Sequence, residues 1–261
     1  SRYIPVNSPY KIPTSQINII QKYQHVGVGT RNDLHTIVNP EQVFGVTGRD
    51  AIVDWVFVEL RAENNQTNIV ASRSGLIQRD GDIVDIDGVS PLSFAGTAVN
   101  NYYTVVRHRN HLGVMSATPI SPEQLGSLVD FTFPATQTFD FGTTLGNGYD
   151  FTGTAQNSSV KSGYKALWAG DFDANKKIKA ENPNDDLNNL FFDIFIFPSN
   201  GAGNANYDFA IGYHQGDFDL NSKAKFDNPN DDKNMLIAQL LFYPINFNIM
   251  SNFDFFIEQI P

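Results

Sequence analysis

The sequence predicts a mostly β protein in two parts: a β-sandwich, then a duplicated acidic-loop region with short helices and strands. Three observations lead there. Residues 48–135 carry short runs rich in Val, Ile, Phe, Tyr and Thr, spaced roughly 8–12 residues apart by Asp-Gly and Asn-rich turns. No ten-residue stretch of that segment has an amphipathic helical period. Residues 170–261 contain one acidic loop twice, GDFDANKKIKAENPNDD from Gly170 and GDFDLNSKAKFDNPNDD from Gly216.

In chain order, residues 1–47 are expected to form an extended arm. Pro5, Pro9 and Pro13 recur every four residues between β-formers, each fixing φ and removing a backbone donor. Such an arm either hugs its own surface or pairs with a neighbouring subunit by strand addition. AIVDWVFVEL (51–60) alternates, with Ile52, Asp54, Val56 and Val58 on one side and Val53, Trp55, Phe57 and Glu59 on the other. NIVASRSGLIQ follows the polar turn AENNQT. DGDIVDIDG reads as a short strand between Asp80-Gly81 and Asp87-Gly88, and NNYYTVVRHRN and LVDFTFP complete the set. Residues 136–169 form a Thr-, Gly- and Asn-rich connector anchored by Phe139, Phe141, Tyr149 and Phe151.

The repeat spans 170–261. Gly170–Ile211 aligns with Gly216–Ile257 without a gap, and 20 of the 42 pairs are identical. The unit is a loop, an apolar segment, a proline stop (Pro198, Pro244), a turn and a strand. Two such units suit a pseudo-twofold pair that buries its apolar faces mutually.

Within each loop, oxygen-bearing side chains alternate. Asp171, Asp173 and Asn175 take positions 1, 3 and 5, and Asp217, Asp219 and Asn221 do so in the second copy. Lys177 and Lys223 fall at position 7, where a backbone carbonyl suffices. This spacing wraps a short loop around one hard cation, so two Ca²⁺ sites are expected. A later carboxylate must close each sphere: Asp185 or Asp186 in copy one, Asp231 or Asp232 in copy two, with Glu181 and Asp227 as nearer alternatives. The alternative is an Asx-turn loop held by hydrogen bonds without metal. Position 6 carries Lys176 and Ser222 where a sharp turn favours glycine. Asn-Pro-Asn before each Asp pair makes a rigid turn. The residues after it, Asp186 to Ile196 and Asp232 to Phe242, are expected to start short helices that an Asp would cap.

The DxDxN loops resemble dockerin-type calcium repeats, which are also duplicated. The longer pattern resembles the C-terminal region of secreted Bacteroidota adhesin- or haemagglutinin-like surface proteins. It rests on AIVDWVFVELR, SRSGLIQRDGDIVDIDGVSPLSFAG, NNYYTVVRHRNHLGVMSATPI, ALWAGD, both loops and the final EQIP, roughly residues 48–261. That family's loops read closer to D-x-N-x-D-G followed by Asn-Asp-Arg. Here Asp173 and Asp219, Asn175 and Asn221, and Leu187 or Lys233 stand instead. The resemblance implies an extracellular, cell-surface location. Residues 48–135 also resemble transthyretin-like or carboxypeptidase-regulatory sandwiches of secreted proteins.

Composition bounds the function. A formal charge of −10 argues against nucleic acid and anionic lipid and suits divalent cations. With no cysteine, disulfides and thiolate chemistry are excluded. The longest apolar run, MLIAQLLFYPI, is too short for a membrane span, which needs ~20 residues, and SRYIPVNSPYKIPTS lacks the apolar core of a signal peptide. RHRNHLGVM reads as a strand end with a polar turn, satisfied by Asp80, Asp82 or Asp85, rather than a two-His metal site or general base. RDGDIVDID reads as a hairpin rather than a third calcium site. Trp55 and Trp168 sit in apolar contexts and are assigned to the core. No catalytic constellation stands out, so the chain is read as a non-enzymatic, secreted, calcium-stabilised adhesion or structural module. Its expected partners are copies of itself, other surface proteins or glycans, with polymerisation through the arm as a variant. A calcium-dependent carbohydrate-binding module, or an accessory domain of a secreted hydrolase, is the alternative.

Overall fold

A computed structural model of the chain describes residue 37 and residues 39–121, 129–181, 185–227 and 231–261. Most of the expected arm and both Asn-Pro-Asn turns lie outside these residues. What is described of the first 47 residues includes a one-turn helix, α1 (Pro40–Val43), with Ile37, Val43 and Phe44 buried against Leu76 and Val84.

Five strands follow: β1 (Ile52–Ala62), β2 (Asn65–Gln78), β3 (Ile83–Val84), β4 (Tyr102–His108) and β5 (His111–Met115). They form one antiparallel sheet in the order β3-β2-β1-β4-β5. Two short strands, β6 (Asn157–Lys161) and β7 (Tyr164–Ala166), make a second, two-stranded sheet. The protein is therefore mainly β. Among the described residues, the strands of 48–135 make one sheet and no second sheet packs on it from within that segment. Three local readings change. The polar turn AENNQT contracts to Glu63-Asn64, because Asn65 to Thr67 already pair or extend β2. LVDFTFP forms turns, not a strand, over its described residues. HLGVM, read as a polar turn, is β5.

Alternation sends β1 side chains to two different environments. Val56, Val58, Val106 and Val114 share one face and pack against Leu92, Phe94, Phe131 and Leu167. On the other face Val105 and Met115 meet Phe139 and Ile260. There, too, lie two carboxylates and two guanidiniums removed from water. Arg61 Nε donates to Glu59 Oε2 at 2.9 Å and Arg107 Nε to Glu59 Oε1 at 3.1 Å. Arg107 also pairs with Glu258, which accepts the N–H of Gly113 at 2.9 Å. Each buried charge thus has a partner, without which its desolvation would cost several kcal/mol. The C-terminal Glu258–Pro261 is held on this face, with Arg61 donating to the Pro261 carbonyl at 2.7 Å.

The repeats supply two helices, α2 (Asp186–Phe195) and α3 (Asp232–Leu241). The two units exchange their ends. Ile178 N–H donates to Phe256 O at 2.9 Å and Ala224 N–H to Ala210 O at 3.0 Å, so each loop pairs with the other copy's final segment, which forms turns and an isolated bridge where a strand was expected. Lys179 reaches Asp254 at 3.1 Å, and its counterpart Lys225 reaches Asp208 at 3.0 Å. Gly170 lies against Leu236 and Gly216 against Leu190, where a Cβ would sit 3.2 and 2.5 Å from the leucine. These reciprocal contacts are the pseudo-twofold pair expected from the repeat. Leu190, Ile194, Leu236 and Leu240 meet Phe151, Trp168, Tyr243 and Phe256 in one core, each apolar side chain contributing ~2 kcal/mol by burial. Trp168 is in that core and Trp55 packs beside Leu76. Among the described residues no helix is long and apolar enough to cross a membrane.

Candidate metal centres

Each acidic loop is organised by its first aspartate. Asp171 is 4% exposed and Asp217 3%. Asp171 Oδ2 accepts the N–H of Lys176 at 3.1 Å. Asp217 accepts from Asn221 and Ser222, each at 2.9 Å. To deliver these N–H groups the backbone turns left-handed twice per loop: Ala174 (φ 56°) and Lys176 (φ 72°), then Leu220 (φ 57°) and Ser222 (φ 69°). The turn normally given to glycine at position 6 is therefore kept by Lys and Ser, at a strain of roughly 1–2 kcal/mol per residue.

The closing carboxylate is the second of each Asp pair. Asp186 Oδ1 accepts Phe172 N–H at 2.7 Å and Oδ2 accepts Lys179 N–H at 2.8 Å. Asp232 repeats this with Phe218 at 2.7 Å and Lys225 at 2.8 Å. In this way Asp171, Asp173 and Asp186 bring oxygens within 4.8 Å of one another, and so do Asp217, Asp219 and Asp232. Asp185 and Asp231 do not join them. Their oxygens cap the helices, accepting Asn188 N–H at 2.6 Å and Asn234 N–H at 2.5 Å. The need to satisfy a free helix end decides which member of each pair faces the loop. Glu181 is exposed and Asp227 pairs with Lys233 at 3.2 Å, and neither joins the triads.

Asn175 and Asn221 are exposed and donate their backbone N–H to Asp173 and Asp219 at 3.1 Å. Lys177 and Lys223 bridge Ile257 and Ile211. The bonds flanking the first bridge, Ile178 N–H to Phe256 O and Glu258 N–H to Lys176 O, leave Lys177's own carbonyl facing away from that segment.

Burial loads these sites with protons. It pushes Asp171 well above the usual carboxylate range, with the Asp186 and Asp173 charges adding to it. Burial likewise pushes Asp186 to about 7, Asp217 to about 7 and Asp232 to about 8. A cation removes that repulsion and takes the protons' place. Asp171 Oδ1 is buried with no hydrogen-bond partner. Because a buried carboxylate oxygen without a donor is costly, the donor set and this orphan atom both fit a hard, oxygen-seeking ion.

The joint between sheet and loops is the stretch read as a polar turn. Asn110, fully buried, accepts Gly170 N–H on its backbone carbonyl at 2.9 Å. Its side-chain Nδ2 donates to Gln215 O at 2.7 Å and Asp217 O at 2.8 Å. Arg109 bonds Asp54 at 3.0 Å, lies 3.9 Å from Asp217, and stacks 4.3 Å over the Tyr213 ring. The partners of RHRNH are thus Asp54, Glu59, Glu258 and Asp217, not Asp80, Asp82 or Asp85. Asp85 instead pairs with Arg73 at 2.7 Å, and the oxygens of Asp87 serve its own turn, as a hairpin requires. Only the density of polar residues in RHRNH signals this joint in the sequence. Comparison of the chain with known protein families, with curated proteins and with solved structures found no match.

Proposed function

We propose that the chain is a calcium-stabilised, mostly β adhesion or structural module of an exported bacterial surface protein, layered as a sandwich-like β unit on a dockerin-like pair of calcium loops. The observation that carries this reading is the pair of aspartate triads, each with two buried members, on two reciprocally paired loops. Asp171, Asp173 and Asp186 would hold one Ca²⁺, and Asp217, Asp219 and Asp232 the other. The side chains of Asn175 and Asn221 and the carbonyls of Lys177 and Lys223 are the available further donors. Calcium bound only to the folded chain stabilises it by mass action, ~2.7 kcal/mol per site at a hundredfold excess over Kd. Extracellular calcium suits such a site.

Removing calcium with a chelator should lower the melting temperature by roughly 10–20 °C, from two sites' worth of binding energy in a chain this size. Asp171→Ala combined with Asp217→Ala should abolish the response. A melting curve indifferent to calcium in the intact protein overturns the proposal.

A further inference from the structure

The hairpin turn between β4 and β5 brings three donor atoms together outside the acidic loops. His108 Nδ1 lies 3.0 Å from His111 Nδ1, and Asn110 Oδ1 lies 3.0 Å from the first and 2.8 Å from the second. No assignment of protons satisfies all three contacts. Asn110 Oδ1 only accepts, because its Nδ2 is committed to the carbonyls of Gln215 and Asp217. If both rings carry a proton on Nδ1, the nitrogen–nitrogen contact sets donor against donor. If only one does, the other ring's lone pair faces the Asn oxygen. If neither does, all three are acceptors.

A metal ion resolves this. Two ligands at right angles, each ~2.05 Å from one ion, are about 2.9 Å apart, close to the three separations observed. The surroundings are those of a held ligand set. His108 Nε2 lies 3.1 Å from Asp54 Oδ2, near the carboxylate but out of line for a hydrogen bond to it. Asp54 is fixed in turn by Arg109 at 3.0 Å and Tyr213 OH at 2.6 Å. His108 and His111 also line a cavity of about 700 Å³, bounded among the described residues by Val56, Val106, Phe131 and Leu167. That cavity leaves room for further ligands.

We propose that His108, Asn110 and His111 form a third metal site, taking a first-row divalent transition metal with open positions toward the cavity. Imidazole nitrogens select such ions over calcium, so this site and the oxygen-only loops sort different metals. It stands independently of the calcium reading.

The test is Cu²⁺ titration of the full chain with calcium saturating, read by electron paramagnetic resonance. One equivalent should bind with splitting from two nitrogens, which no aspartate loop can produce. His111→Ala should weaken that species at least tenfold, His111→Gln should do the same while keeping a polar side chain in place, and His214→Ala should leave it intact. Circular dichroism identifies any variant that fails to fold. As a readout without substitution, Zn²⁺ should shift the imidazole ¹⁵N resonances of two histidines together. Absence of a nitrogen-ligated ion in the wild type, or its survival in a folded His111 variant, overturns the proposal.

Discussion

In the first acidic loop Asp171 Oδ1 is buried and accepts no hydrogen bond, whereas in the second both Asp217 oxygens are taken by the N–H groups of Asn221 and Ser222. Their charged neighbours differ as well. Arg109 sits 3.9 Å from Asp217 and opposes the effect of burial there. The corresponding distant contribution at Asp171 comes from Glu258 and has the opposite sign. At ~4 Å and an effective dielectric near 20, one charge is worth on the order of a few kcal/mol. Two loops of nearly one sequence and one backbone path therefore present different fields, because the sheet touches only one of them with Arg109. The first loop is the tighter cation site on this reading.

The largest effect that can test the comparison is the proton load. Asp186, Asp217 and Asp232 titrate at about 7, 7 and 8 in the fold, against ~3.9 when unfolded. Between those values the folded state holds more protons, so metal-free stability must fall as pH rises. Urea unfolding in chelator should lose several kcal/mol from pH 5 to 8, since each tenfold difference in proton affinity between folded and unfolded chain is worth ~1.4 kcal/mol. Calcium should flatten the slope. Asp232→Asn should remove more of the slope than Asp186→Asn. A flat metal-free profile breaks the account for both loops.

Next in size is the affinity order. Calorimetry should resolve two calcium events differing at least tenfold, about 1.4 kcal/mol. Asp171→Asn should delete the tighter event and Asp217→Asn the weaker one. Two equal events would mean that Arg109 does not reach the ion's field.

The smallest effect lies at position 6. Lys176→Gly and Ser222→Gly relieve left-handed strain but loosen the unfolded chain, leaving a net gain of about 0.5 kcal/mol each. Lys176→Gly also removes an ammonium 3.9 Å from Glu258, so only that variant should alter calcium affinity. Equilibrium unfolding with and without calcium separates the two effects.

Much of the loop was legible in advance. The DxDxN spacing, the ungapped repeat and the helices after each Asp pair are local features, and local spacing fixes them. The choice of Asp186 over Asp185, and of Asp232 over Asp231, was left open by the sequence, since both members of each pair carry the same carboxylate. The orphan N–H groups at the helix starts claimed the first member as a cap. The role of RHRNH is not local either, for a related reason. Alternation correctly separated His108 from Arg107, but Arg109 leaves the strand at the turn and joins His108 on Asp54. Its partners are 55 residues away at Asp54 and more than 100 away at His214 and Asp217, beyond any local pattern.

By itself, then, the sequence determined the β character, the duplication and the acidic donor set, because turn chemistry, side-chain period and loop spacing act over a few residues. Tertiary structure alone decided that each repeat's loop bridges the other's last segment, that Asn110 bonds the backbone at the start of both loops, and that one loop feels Arg109 while the other does not. Those outcomes depend on which distant groups share a buried, low-dielectric space, where a few ångströms set the sign and size of each interaction.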